Sequence, residues 1–125
     1  MTPLKVLIVD DDEDIRLVSE IAIRRIGKWD AVVAATGEEA LDRARTEQPD
    51  VILLDVMMPS LNGPATLALL REEPATASIP VIFLTAKVQK HEVERYMALG
   101  ATGVIRKPFD VMTLADEIRR IVEGG

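Results

Sequence analysis

Two patterns of apolar and polar positions alternate along the chain. Short runs of consecutive apolar residues suit strands buried on both faces, and longer stretches with apolar residues every three or four positions suit amphipathic helices. The strands so predicted are 5–9, 31–34, 51–54, 81–84 and 103–106, with Pro80 able only to open the fourth. The first helix starts near Asp14, turns Ile15, Val18, Ile21, Ala22 and Ile26 inward, and stops at Gly27. The second opens with Thr36 and Glu39 spaced as a capping box, buries Ala40, Leu41 and Ala44, and ends before Pro49. Asn62-Gly63-Pro64 turns into a third helix with Leu67 and Leu70 inward, which ends by Pro74. A fourth covers about 89–99, with a thin apolar face of Val93, Tyr96, Met97 and Leu99 and Gly100 as its stop. Asp110 caps the fifth, which buries Leu114, Ile118, Ile121 and Val122. Strict alternation of strand and helix means a parallel sheet covered on both faces by right-handed crossovers, in one α/β domain over residues 1–125.

Composition narrows this picture. Aromatic residues are only 3% of the chain, so the core must be built from aliphatic side chains. A net charge of −6 disfavours direct nucleic-acid binding, because phosphates repel an acidic surface. No run is long or apolar enough to span a membrane. Residues 1–3 lead into a strand without a basic, apolar leader, so no secretion signal is expected. With no cysteine there is neither a disulfide nor a thiolate metal site, which fits a cytoplasmic protein.

The chemistry gathers at the strand ends. The first strand runs into Asp10 and Asp11, the third into Asp55, the fourth into Thr85 and the fifth into Lys107. Taken singly, each has an ordinary reading: a turn cap for Asp55 and Thr85, a solvated side chain for Lys107, a favourable helix start for the acids. In a parallel sheet, however, all strand ends lie on one edge, where open α/β sheets bind ligands. Two acids, a third acid, a hydroxyl and an ammonium therefore converge. Adjacent carboxylates there are relieved best by a bound cation.

These residues belong to longer matching pieces: Val9-Asp10-Asp11, Asp55-Val56-Met57-Met58-Pro59, Asn62-Gly63, Leu84-Thr85-Ala86, Gly100-Ala101-Thr102-Gly103 and Lys107-Pro108-Phe109. Through them nearly the whole chain resembles the receiver domain of bacterial two-component response regulators, of the chemotaxis-regulator CheY type. The resemblance implies a flavodoxin-like doubly wound sheet of order 2-1-3-4-5 with five helices. It implies Asp55 as phosphoacceptor and Mg²⁺ held by Asp11 and Asp55, by Asp10 through water, and by the backbone carbonyl of Met57. Lys107 would supply a positive charge to the phosphoryl oxygens and Thr85 a hydroxyl, and the Lys107–Pro108 bond would be cis. The implied partners are a sensor histidine kinase or phosphotransfer protein, and a downstream effector or attached output domain regulated through the surface of helix 4, strand 5 and helix 5. The domain would catalyse only its own phosphorylation and dephosphorylation, as a switch.

The chain departs from the family's pattern in places. Val104 stands where many members carry an aromatic that couples to the threonine. Pro64 follows Gly63 and stiffens the start of the third helix. Met57 and Lys87, two residues beyond Asp55 and Thr85, are expected to flank the path of the hydrolytic water. Charged faces on the last two helices (Lys90, Glu92, Glu94, Arg95, Asp116, Glu117, Arg119, Arg120) suit either solvent or pairing in a homodimer. Trp29 is expected at the edge opposite Asp55. Three rival readings remain. A phosphohydrolase would use Asp10-x-Asp12 as its nucleophile motif, a degenerate receiver would act only as an interaction module, and a flavin protein would need a phosphate-cradling loop that the acids oppose.

Overall fold

The computed structural model describes residues 3–124. Met1, Thr2 and Gly125 lie outside the described residues, and with them part of the expected leaderless start. The elements are β1 (Lys5–Val9), α1 (Glu13–Ile21), β2 (Asp30–Ala34), α2 (Gly37–Glu47), β3 (Val51–Asp55), α3 (Gly63–Glu72), β4 (Val81–Thr85), α4 (Lys90–Ala98), β5 (Gly103–Arg106) and α5 (Leu114–Gly124). The strands form one sheet in the order β2-β1-β3-β4-β5, and every neighbouring pair is parallel. The flavodoxin-like expectation is met.

Alternate strand residues point to opposite faces, and each face carries its own core. Val6, Ile8, Leu53, Ile82, Leu84 and Ile105 pack with Ala22, Ile23, Leu114 and Ile118 of the α1 and α5 side. Leu7, Val9, Ile52, Leu54, Val81 and Phe83 pack with Ala40, Ala44, Leu67, Leu70 and Tyr96 of α2, α3 and α4. All five residues of β3 and of β4 are buried. Each fully buried Leu or Ile there contributes about 1.5–3 kcal/mol of transfer free energy. This double cover holds the strand ends in place.

Local chemistry explains most boundaries. The Thr36 hydroxyl accepts the Glu39 N–H, and the Glu39 carboxylate accepts the Ala35 N–H. Asn62 caps α3 by accepting the Ala65 N–H, with Pro64 in the first turn, where its missing N–H costs nothing. The Glu92 carboxylate accepts the Gln89 N–H at the start of α4. The Arg71 guanidinium donates to the carbonyls of Ala77, Ile79 and Gly100, tying the end of α3 to the turn between α4 and β5. Burial lowers the Arg71 pKa from its usual value.

Two expectations need correction and one needs refinement. The buried face of α1 and its continuation is Ser19, Ala22 and Ile23, while Val18, Ile21 and Ile26 are 37–39% exposed and Leu17 is 56% exposed. The apolar positions of this helix outnumber those the sheet can cover, and the small Ser19 and Ala22 permit the closest approach. The helix does stop at Gly27, as expected, but without a left-handed residue there. The helix widens into a π-helical turn over Ala22–Ile26, Gly27 stays right-handed, and Lys28 takes the positive φ of 61°. A β-carbon on Gly27 would lie 2.8 Å from that of Ala115, so close packing against α5 requires glycine here. Finally, Asp110 opens a separate turn by accepting the Met112 N–H, and α5 begins only at Leu114.

Among the described residues no helix is long and apolar enough to cross a membrane. Trp29 precedes β2, whose first residue pairs with Lys5 at the start of β1, so it lies at the edge opposite Asp55. Arg119 stacks over its ring at 4.9 Å.

Candidate functional site

Strand register builds the site. Val9 of β1 is level with Leu54 of β3, so Asp10 and Asp55 leave adjacent strands at the same height. Asp55 pairs with Leu84, which places Thr85 one step farther, and Thr85 pairs with Arg106, which places Lys107 one step beyond that. Asp10, Asp55 and Thr85 are 1%, 4% and 3% exposed. Asp11 faces solvent.

The acids and the lysine meet. Carboxylate oxygens of Asp10, Asp11 and Asp55 all lie within 4.8 Å of one another. The Lys107 ammonium donates to Asp10 Oδ2 at 3.0 Å and to Asp55 Oδ1 at 3.1 Å. The Met57 N–H also donates to Asp55 Oδ1, at 3.3 Å. The Lys107–Pro108 peptide is cis. Thr85 stands at the same edge, but its hydroxyl oxygen accepts the Lys87 N–H at 3.1 Å rather than meeting an acid. Val104 is half-buried against the α4-side core. The aromatic contact of that region is Phe83 edge-on to Tyr96, with ring centroids 5.2 Å apart.

Burial, and next the charge of Asp10, push the Asp55 carboxyl up to about 6. The bond and charge of Lys107 and the Met57 amide pull it back without cancelling the rise. For Lys107, burial opposes the ammonium, but the bonds and charges of Asp10 and Asp55 outweigh it and raise the pKa overall.

The donor set fits a hard divalent cation. Three carboxylates crowd one spot, and the exposed Asp11 has no hydrogen-bond partner among the described residues. A cation bound by these oxygens would relieve the repulsion that lifts Asp55.

Asp12 caps α1, its carboxylate accepting the N–H groups of Asp14 and Ile15. Its helix-start reading is correct, and it is not available as half of an Asp-x-Asp nucleophile motif. Two supporting residues were missed. The Arg16 guanidinium donates to the Asp10 carbonyl at 2.7 Å. Gly63 lies against the end of β3: its N–H donates to the Val56 carbonyl at 3.0 Å. A β-carbon there would overlap the Asp55 carbonyl oxygen and sit 2.8 Å from Val56 Cα. The sequence marked Gly63 only as a turn residue, and nothing in it signals the Arg16 contact.

Comparison with known proteins agrees with this geometry. The family model of the response regulator receiver domain matches residues 6–119. The chain belongs to this family. It is therefore a receiver domain of two-component signalling. It is 36% identical to the alkaline phosphatase synthesis transcriptional regulatory protein PhoP of Bacillus subtilis, over 94% of this chain and 48% of that protein. It is 33% identical to PilG of Pseudomonas aeruginosa, over 93% of this chain and 85% of that protein. The receiver chain thus spans about half the length of PhoP but most of PilG. Among solved structures, the chemotaxis response regulator CheY4 of Vibrio cholerae superposes with a TM-score of 0.88 at 32% identity, covering 96% of this chain and 99% of that one.

Proposed function

We propose that this receiver takes a phosphoryl group onto Asp55 from the phosphohistidine of a sensor histidine kinase or phosphotransfer protein in the cytoplasm. The observation that carries this reading is a buried strand-end carboxylate, bonded to Lys107 and crowded by two further acids. An Asp55 oxygen attacks phosphorus, the phosphorus–nitrogen bond breaks, the imidazole leaves, and an acyl phosphate results. Mg²⁺, held by Asp11 and Asp55, by Asp10 through water and by the Met57 carbonyl, would neutralise the converging negative charges. Lys107 exchanges its bond to Asp55 for the incoming phosphoryl oxygens, and Asp10 keeps the ammonium at the site. Thr85 turns its hydroxyl toward an oxygen of the acyl phosphate. Water attack on phosphorus ends the phosphorylated state, breaking the bond to Asp55 and releasing inorganic phosphate and the Asp55 carboxylate. Met57, 65% exposed, and Lys87 flank that approach and set the lifetime of the phosphorylated state.

The donor's docking face is proposed on α1. Val18 lies with Ile15, Pro108 and Phe109 around an apolar hollow beside Lys107, and Leu17 and Ile21 extend the apolar surface along the helix. Output is proposed through α4, β5 and α5, toward a partner or an attached output domain. Lys90 and Arg119 hold Glu94 and Glu123 within their own helices, so a homodimer through this face would draw on the remaining charges.

Incubation with acetyl phosphate and Mg²⁺, followed by intact mass, tests the reading. One phosphoryl group per chain is expected, with none on Asp55→Asn. Equal labelling of that variant would place the acceptor elsewhere and defeat the proposal.

A further inference from the structure

Arg16 stands just after an unbroken run of five acids, Asp10 to Asp14, and forms no ion pair among the described residues. Arg24, Arg43, Arg45 and Arg119 each hold a carboxylate three or four positions away. Asp12, Glu13 and Glu20 stand at the same spacings from Arg16, which pairs with none of them. Its half-buried guanidinium turns back from the start of α1 and donates to a neutral group, the Asp10 carbonyl, at 2.7 Å.

A peptide group is planar, so the direction of the Asp10 carbonyl also sets where the Asp11 Cα lies. Asp10 itself is tied on every side. Its N–H donates to the Ala34 carbonyl at 3.2 Å, its Oδ1 accepts the Asp12 N–H at 2.9 Å, and its Oδ2 accepts from the Lys107 ammonium at 3.0 Å. The Asp11 side chain has no such ties. It is exposed and without a hydrogen-bond partner among the described residues, yet an oxygen of it lies within 4.8 Å of oxygens of Asp10 and Asp55. Repulsion from those two carboxylates favours swinging it out to water, so its place near them rests on its backbone.

We propose that Arg16 is a positioning residue for the cation site: through the Asp10 carbonyl it holds the backbone that aims Asp11 at the ion. This rests on the proposed Mg²⁺ site and adds to it a residue that touches neither the ion nor the phosphoryl group. Charge alone would act the other way. A guanidinium beside a cation site repels the ion, so its removal would tighten binding. Loss of alignment weakens binding, and the sign of the change separates the two.

The test is calorimetric titration of the unphosphorylated protein with Mg²⁺ alone, with no phosphodonor present. Arg16→Met and Arg16→Gln should each weaken Mg²⁺ about tenfold although each removes a positive charge. Arg16→Lys, which keeps a donor on that side of the carbonyl, should recover part of the loss. In the metal-free neutral variants the Asp11 amide NMR signal should shift while those of β3 stay in place. Unchanged or tighter Mg²⁺ binding in the neutral variants, an unmoved Asp11 signal, or no recovery in Arg16→Lys would overturn the role of Arg16 and leave the cation site standing. No Mg²⁺ binding by the unsubstituted protein would overturn the cation site and this proposal with it.

Discussion

β3 and α4 flank the same site and are held very differently. Every residue of β3 is buried, and Asp55 is its last. α4 buries only Tyr96, and Met97 and the adjoining Leu99 are each 44% exposed. Asp55 thus stands on a backbone that has no room to move, while the neighbouring helix can shift at small cost. A receiver needs both: a fixed geometry for the chemistry and a loosely anchored element to report it.

The largest expected effect tests the fixed half. Leu53→Ala should cost about 2–5 kcal/mol in urea unfolding, whereas Leu99→Ala should cost less than about 1 kcal/mol. Similar losses at both positions would erase the contrast. Next comes the charge of Asp55. Because Asp55 is lifted from 3.8 to about 6, the folded state holds its proton more tightly than the unfolded chain. Its contribution is present below the ordinary value of 3.8 and is lost as pH rises through about 6. Asp55→Asn should therefore stabilise the metal-free protein above neutrality, on the order of 1–3 kcal/mol, with no gain in acid. Thermal melts across pH check this, and a parallel pH profile for both proteins would contradict it.

A smaller effect probes the loose half. Arg71→Leu removes three bonds, one to Gly100 in the turn between α4 and β5 and two to Ala77 and Ile79 before β4, and should cost about 1–2 kcal/mol. Hydrogen exchange should quicken at residues 99–102 and remain slow in β3. Uniform quickening would mean that α4 is not separately anchored. Smallest of all is the response of Trp29. At the far edge beside Arg119, its fluorescence should hardly change on adding Mg²⁺. Strong quenching would show that the edges communicate.

Alternation of apolar runs and helical periods was enough to read the five-stranded sheet. Asp10, Asp11, Asp55, Thr85 and Lys107 were legible because parallel strands bring their ends to one edge whatever the side-chain detail. Contacts between elements distant in sequence were not legible. Periodicity on α1 selected Val18 and Ile21, since hydrophobicity marks a face without saying how much of it the sheet can cover. Ser19 is buried there despite its hydroxyl, which has no hydrogen-bond partner among the described residues. Gly27 was legible as the helix stop, but a lone glycine does not reveal whether it supplies a positive φ or, as here, a close approach. The scarcity of aromatics pointed to an aliphatic core, yet Phe83 and Tyr96 meet inside it and join β4 to α4.

Gly63 backs Asp55. A methyl group on it would collide with the backbone of Asp55 and Val56. Random mutagenesis under selection for signalling should leave glycine alone at this codon, while Pro64 next to it accepts many replacements. The alignment of Asp55 is thereby guarded by a residue that contributes no functional group at all.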